Sequence, residues 1–297
     1  GAVSEGQMNR REAMLGVLAL GACATGTGGE PSFQSERLSV VVRGEGPDIV
    51  LIPGLSCPRD VWGGLADALT PHYRLHLAQL TGFGEASPSP EGPLFEPAAQ
   101  ELLRYIQEQG LNRPALIGHS MGGALALRVS ILAPQRLGRV MVVDALPFFS
   151  VLVSPTATPD SMAEQADALS AQMRGMDDAP FLALQQRTMA TLVKRTEDQA
   201  RAVAWSIASH RPTVAQMMRD VMTTDLRPQL PAIAIPVTVL YAWDASMAFP
   251  AAGADFLYTI NYAGLQGVRL VRVDDALHFI MLDQPGRFEA EVRAFLG

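Results

Sequence analysis

The sequence predicts an α/β architecture: a mostly parallel central sheet, flanked by helices on both faces, with one inserted helical region. Three observations predict it. Short apolar runs alternate with segments of helical spacing through most of the chain. A Gly-x-Ser-x-Gly string stands between one such run and a helical segment. Between Leu146 and about Pro231 the alternation stops, and helical patterns continue with almost no strand. Short apolar strands separated by helices imply parallel pairing, because parallel neighbours need a crossover and are covered on both sides.

The elements follow in order. Leu38, Val40 and Val42 alternate with Ser39, Val41 and Arg43, which predicts a strand exposed on one side. Asp48 to Ile52 is a strand stopped by the turn signal Pro53-Gly54. Val61, Leu65 and Leu69 have helical spacing, with Trp62 beside them. Leu75 to Ala78 is the next strand, closed by Thr81-Gly82-Phe83-Gly84, and Ser87 to Pro93 is a proline-rich loop. Leu102, Leu103 and Ile106 mark a helix with Gly110 as its stop. Ala115 to Gly118 is an apolar strand, and Met121 to Leu132 a helix that ends before Pro134. Val140 to Val143, Val237 to Tyr241 and Val268 to Val273 are further strands, and Phe288, Val292 and Phe295 line the last helix.

Composition excludes several classes. With 297 residues, 48% hydrophobic and 18% charged, the chain can bury a substantial core and is not globally disordered. Its 23 basic and 30 acidic residues give a net charge of −7 with no basic block, which argues against nucleic acid as a partner. Two cysteines, Cys23 and Cys57, rule out a disulfide scaffold and a cysteine-rich zinc site. No apolar run reaches the roughly 20 residues of a membrane span.

The first 31 residues read as an export leader and linker. Arg10-Arg11 precedes a short apolar stretch from Ala13 to Ala22, and Leu20-Gly21-Ala22-Cys23 resembles a bacterial lipobox, in which the cysteine is lipidated. An N-terminal amphipathic helix is the competing explanation. Export implies a bacterial periplasmic protein or, where Cys23 carries a lipid anchor, a membrane-anchored lipoprotein.

The chemistry centres on Gly118-His119-Ser120-Met121-Gly122. A strand before it and a helix after it are the context of a nucleophile elbow, where side chains at the flanking glycines would collide. A serine hydroxyl needs a base. Of His72, His76, His119, His210 and His278, the last follows the final strand and so reaches the carboxyl edge of the sheet, where the elbow also sits. His119 adjoins the serine, but neighbours in a tight turn point apart. The base in turn needs an orienting carboxylate. Asp244, after the strand Val237 to Tyr241, is expected in that place; Asp144, at the end of the strand before the insertion, is its main rival, and Asp274 and Asp275 precede His278 on its own loop. The order Ser120, Asp244, His278 agrees with a nucleophile–acid–base sequence. The backbone N–H groups of Met121 and Leu55 are the expected oxyanion donors. Cys57 reads as a buried, inert thiol.

Ile52-Pro53-Gly54-Leu55 with Trp62, Thr81-Gly82-Phe83-Gly84, Gly118-His119-Ser120-Met121-Gly122-Gly123, Trp243-Asp244, and His278-Phe279 leading to Gln284-Pro285 together resemble the α/β-hydrolase superfamily, in its capped esterase-like branch. The resemblance implies an α/β-hydrolase core over residues 32–147 and 229–297 and a helical cap over 148–228. The superfamily commonly has His-Gly where this chain has Pro53-Gly54. Dehalogenase relatives use an aspartate nucleophile, so Ser120 speaks against that chemistry. The expected function is hydrolysis of carboxylic esters, including lactones, through an acyl-enzyme, with no metal or organic cofactor. Amide or carbon–carbon bond hydrolysis on the same fold, or a non-catalytic binding protein, are the alternatives. Seven of the thirteen methionines (Met162, Met173, Met176, Met189, Met217, Met218 and Met222) fall in the insertion. They suggest a hydrophobic small-molecule ester as the partner, although ordinary helix packing explains them equally simply.

Overall fold

The computed structural model describes residues 29–297. The expected leader, with Arg10-Arg11 and Cys23, lies outside the described residues except for its last three positions. Eight strands form one sheet: β1 (Phe33–Gln34), β2 (Leu38–Arg43), β3 (Asp48–Ile52), β4 (Arg74–Leu80), β5 (Ala115–His119), β6 (Arg139–Val143), β7 (Val237–Trp243) and β8 (Arg269–Asp274). Their spatial order is β1-β2-β4-β3-β5-β6-β7-β8. The first two pairings, β1 with β2 and β2 with β4, are antiparallel, and every later pair is parallel. Parallel strands send all their carboxyl ends to one edge, so residues distant in sequence are gathered there.

Helices α1 (Gly63–Leu69), α2 (Phe95–Glu108), α3 (Met121–Leu132), α8 (Ala251–Asn261), the short α9 (Ile280–Asp283) and α10 (Pro285–Leu296) surround the sheet. One core contains Leu102, Tyr105, Leu125, Val129 and Tyr258 against one sheet face. The other contains Trp62, Leu65, Leu69, Phe288 and Val292 against the opposite face. This second layer corrects the reading of β2 as exposed on one side. Val41 is buried with Trp62 and Phe288, because both faces are covered.

Four helices separate β6 from β7: α4 (Pro159–Gly175), α5 (Asp178–Leu192), α6 (Thr196–Ala208) and α7 (Arg211–Met222). A reciprocal Thr158–Ser161 capping box and Pro159 start α4, satisfying N–H groups the helix cannot satisfy itself. Buried Met162, Met189, Met217 and Met222 pack these helices. Asp220 pins α7 to the body: its Oδ2 accepts the Leu94 and Phe95 amides at 2.6 and 3.0 Å, capping α2 from another element. Among the described residues no helix is long and apolar enough to cross a membrane.

Strand β1 and helix α8 are additions to the sequence reading. β1 is too short to show a period of two. Helix α8 buries Ala254, Tyr258 and Asn261, a spacing of four and three, but its exposed Phe256 and Ile260 blur that apolar stripe.

Candidate active site

Ser120 stands between β5 and α3 with φ 56° and ψ −125°. A non-glycine residue pays for positive φ in strain, and this turn is held from several sides. The Ser120 amide donates to the Val143 carbonyl at 2.9 Å, and its own carbonyl accepts from Gly123 N at 2.8 Å. The glycines are steric necessities. A Cβ on Gly118 would lie 2.1 Å from the Gly122 carbonyl oxygen, and one on Gly122 would lie 2.2 Å from that of Ile52. The turn is therefore as tight as the Gly-x-Ser-x-Gly spacing requires, and it aims the start of α3 at the serine.

His278 sits on the loop between β8 and α9. Its Nε2 is 2.8 Å from Ser120 Oγ, and its Nδ1 is 2.7 Å from Asp144 Oδ2. Asp144 follows directly on β6 with φ 51°, a conformation aspartate tolerates better than most residues. Its other oxygen, Oδ1, accepts the Ala242 amide at 2.8 Å and lies 3.4 Å from the Tyr258 hydroxyl. Those donors set the plane of the carboxylate, so Oδ2 faces the imidazole.

The structure corrects the expectation for Asp244. This carboxylate does not hydrogen-bond to His278. Its Oδ1 accepts from Lys194 Nζ at 2.7 Å, and its Oδ2 accepts from the Ser246 amide and hydroxyl at 3.0 and 2.5 Å. The Lys194 ammonium, followed by the Ser246 donors, holds the Asp244 carboxyl down at about 2. The physical reason is strand order. β6 is bonded directly to β5, whereas β7 lies one strand farther from Ser120. Each added strand moves the carboxyl edge about 4.8 Å away. Asp144 was the rival candidate, and the adjacency of β6 to β5 is the signal that favours it.

The residues expected to supply oxyanion donors are Met121 and Leu55. Met121 is the first residue of α3, and a first-turn N–H has no acceptor inside its own helix. Gly54 packs against the serine: a Cβ there would lie 3.0 Å from Ser120 Cβ. Leu55 follows in the turn closed by the 3.1 Å bond from Cys57 N to Gly54 O, and its own amide has no hydrogen bond among the described residues. Cys57 is buried, and desolvation pushes its thiol up to about 12, so it stays protonated and unreactive.

Three of the other histidines have hydrogen-bonded ring nitrogens. His76 bridges Asp48 and Tyr105 at 2.7 and 2.6 Å, and His210 Nδ1 is 2.8 Å from the Thr213 hydroxyl. His119 is fully buried against His278, with Nε2 2.9 Å from the His278 carbonyl oxygen. Among the described residues no group of His, Cys, Asp or Glu is arranged to hold a metal ion.

The insertion reaches this edge of the sheet. Ser209 Oγ accepts the Gly84 amide at 2.9 Å and lies 3.3 Å from the Ser56 carbonyl, beside Leu55. The Phe279 amide, next to His278, donates to the Leu192 carbonyl at 3.2 Å. Lys194 ties the end of α5 to Asp244, and its amide donates to Asp283 at 3.0 Å.

An Alpha/beta hydrolase family model matches residues 49–291. A pimeloyl-[acyl-carrier protein] methyl ester esterase from Nitrosomonas europaea is 27% identical over 258 residues, covering 84% of this chain and 96% of that protein. Among solved structures, a hydrolase from Pseudomonas aeruginosa PA01 superposes with a TM-score of 0.75 at 24% identity, covering 91% of this chain and 99% of the other. The enol-lactonase from Burkholderia xenovorans LB400 superposes with a TM-score of 0.69 at 22% identity, covering 87% and 96%. With the matched family model spanning both halves of the sheet and the intervening helices, this chain belongs to the alpha/beta hydrolase family.

Proposed function

We propose that this protein is a serine hydrolase of carboxylic esters, lactones included, acting through an acyl-enzyme. The observation that carries the reading is the unbroken hydrogen-bonded path from Ser120 Oγ through His278 to Asp144, at 2.8 and 2.7 Å. In this mechanism His278 Nε2 takes the serine proton as Oγ attacks the carbonyl carbon. Asp144 holds the Nδ1–H tautomer and stabilises the imidazolium that forms. The Met121 and Leu55 amides bind the oxyanion, at the positive end of α3. The tetrahedral intermediate collapses as His278 returns its proton to the departing alcohol. Water, deprotonated by the same imidazole, then releases the acid.

The name of the Nitrosomonas europaea relative, a methyl ester esterase, supports ester chemistry. The methionines of the insertion, Met162, Met189, Met217 and Met222 among them, give weak support to an apolar substrate group, since flexible thioethers adapt to irregular apolar surfaces. In this reading residues 148–228 form a cap over the site. Arg10-Arg11 and Cys23 support export with a lipid anchor; mass spectrometry of the N-terminus from the native host tests that part, and an uncleaved, unlipidated chain would remove it.

A fluorophosphonate probe and nitrophenyl esters of graded acyl length test the enzyme reading. The expected result is labelling and turnover by the unmodified protein and neither by Ser120→Ala. Absence of labelling in both proteins would favour a binding protein. Labelling without turnover of any ester would point to amide or carbon–carbon bond cleavage.

A further inference from the structure

His119 lies outside the Ser120–His278–Asp144 path, yet its ring packs directly against that of His278. It is 0% exposed. Its ring centroid is 4.8 Å from that of His278 and 4.9 Å from that of Phe279. Nε2 stands 2.9 Å from the His278 main-chain carbonyl oxygen. Only an N–H donor is stable that close to a carbonyl, so the proton resides on Nε2. Nδ1 has no hydrogen-bond partner among the described residues. Burial, followed by the nearby His278 charge, holds the His119 imidazole down at about 3, which keeps the ring neutral.

We propose that His119 is a positioning residue, whose Nε2–H clamps the main chain of His278 and so keeps that imidazole aimed at Ser120. The inference rests on the serine-hydrolase reading above. His278 rides on a loop, and among the described residues no backbone N–H donates to its carbonyl. Its neighbours are fixed by other groups: Leu277 N by Asp283, Phe279 N by Leu192 and the Asp275 carbonyl by Gln284. At residue 278 itself the clamp comes from His119. Without it the backbone can rotate, and both short contacts of the ring depend on that rotation. Neutrality also matters. A charged ring 4.8 Å from His278 would oppose the imidazolium that must form when the serine loses its proton.

His119→Leu keeps much of the volume and removes the donor. His119→Gln can return an N–H near the position of Nε2. In nitrophenyl ester assays the Leu variant is expected to lose about 10- to 100-fold in kcat, since small misplacements of reacting groups cost on this scale. Its KM should change little, and fluorophosphonate labelling should slow in proportion. The Gln variant should recover to within about fivefold, because the restored donor rebuilds the transition-state geometry. Proton NMR gives a readout that needs no turnover. The downfield His278 Nδ1–H resonance, from the bond to Asp144, should persist in the Gln variant and broaden or vanish in the Leu variant. Circular dichroism verifies folding, and His119→Asn, whose amide is too short to reach the carbonyl, replaces Leu if that variant fails to fold. A folded Leu or Asn variant with full kcat and an intact resonance would overturn the proposal, as would a Gln variant impaired as severely as Leu. If the unmodified protein neither labels nor hydrolyses esters, the enzyme reading fails separately, and the resonance still decides whether His119 orders His278.

Discussion

Asp144 Oδ2 lies 2.7 Å from His278 Nδ1, although 134 residues separate the two in sequence. Asp144 directly follows a central strand, and His278 follows the edge strand β8. The loop carrying His278 therefore folds back across the carboxyl end of β7 to reach them. The aspartate at the end of β7 is occupied by Lys194.

That arrangement separates two aspartates that look equivalent in the sequence. Asp144→Asn should lower kcat by about 10³- to 10⁴-fold with the fold intact, because the amide stabilises the wrong imidazole tautomer. Asp244→Asn should leave kcat within a few-fold of the starting protein. Steady-state kinetics on one nitrophenyl ester decides between them, and the reverse ranking would refute the assignment of Asp144.

The Lys194–Asp244 pair joins the insertion to the body, and Lys194 is 37% exposed. Solvent screening limits such a pair to about 1 kcal/mol or less. Lys194→Met is thus expected to leave global stability nearly unchanged while speeding amide exchange around residues 192–196. Hydrogen exchange read by mass spectrometry checks this, with urea unfolding as the global reference.

Gly122→Ala should be severely damaging. The new methyl would meet two main-chain carbonyl oxygens, at 2.2 Å from Ile52 and 2.5 Å from Pro53. Neither can move without breaking the β3–β5 pairing or shifting the Leu55 turn. Overpacking of this kind typically costs about 1–3 kcal/mol, and rigid backbone neighbours favour the upper end. Thermal melting would register the loss, and probe labelling should fall with it.

Acid should destabilise the protein partly through His119. Its folded pKa is depressed to about 3 from an ordinary 6.5, by burial first and the His278 charge second. Between those values the unfolded chain binds a proton that the folded one does not, so stability falls as pH drops through this window. Below about 3 the loss is complete. His119→Gln, which does not titrate, should therefore show a shallower decline in urea midpoint from about pH 6.5 to pH 3. An unchanged slope would contradict a neutral, buried ring.

Much of the architecture was legible because it is locally encoded. Asp48 to Ile52 and Ala115 to Gly118 announce themselves as apolar runs ended by turn residues, and their boundaries agree with β3 and β5 within a residue. Ser120 was legible because the elbow is a short-range object: strand, glycine, serine, glycine and helix lie within one stretch of chain. Helix α8 was not, since Phe256 and Ile260 stay on its exposed face and dilute the pattern. The structural part of His119 was also hidden. Adjacency to the serine suggested a side chain turned away, whereas the finding that its Nε2 meets the backbone of a residue 159 positions later lies beyond any local pattern.

By itself the chain dictated the alternation of strands and helices, the tight turn that presents Ser120 and the imidazole available after the last strand, because periodicity and steric demand act over a few residues. Which carboxylate meets that imidazole was decided only on folding. Asp144 and Asp244 both follow apolar strands, and the difference between them is lateral: β6 lies beside the serine strand, whereas the aspartate after β7 is neutralised by a lysine arriving from the helical insertion. Hydrogen bonding between strands and the approach of a distant side chain are long-range relations, and no local pattern of residues records them.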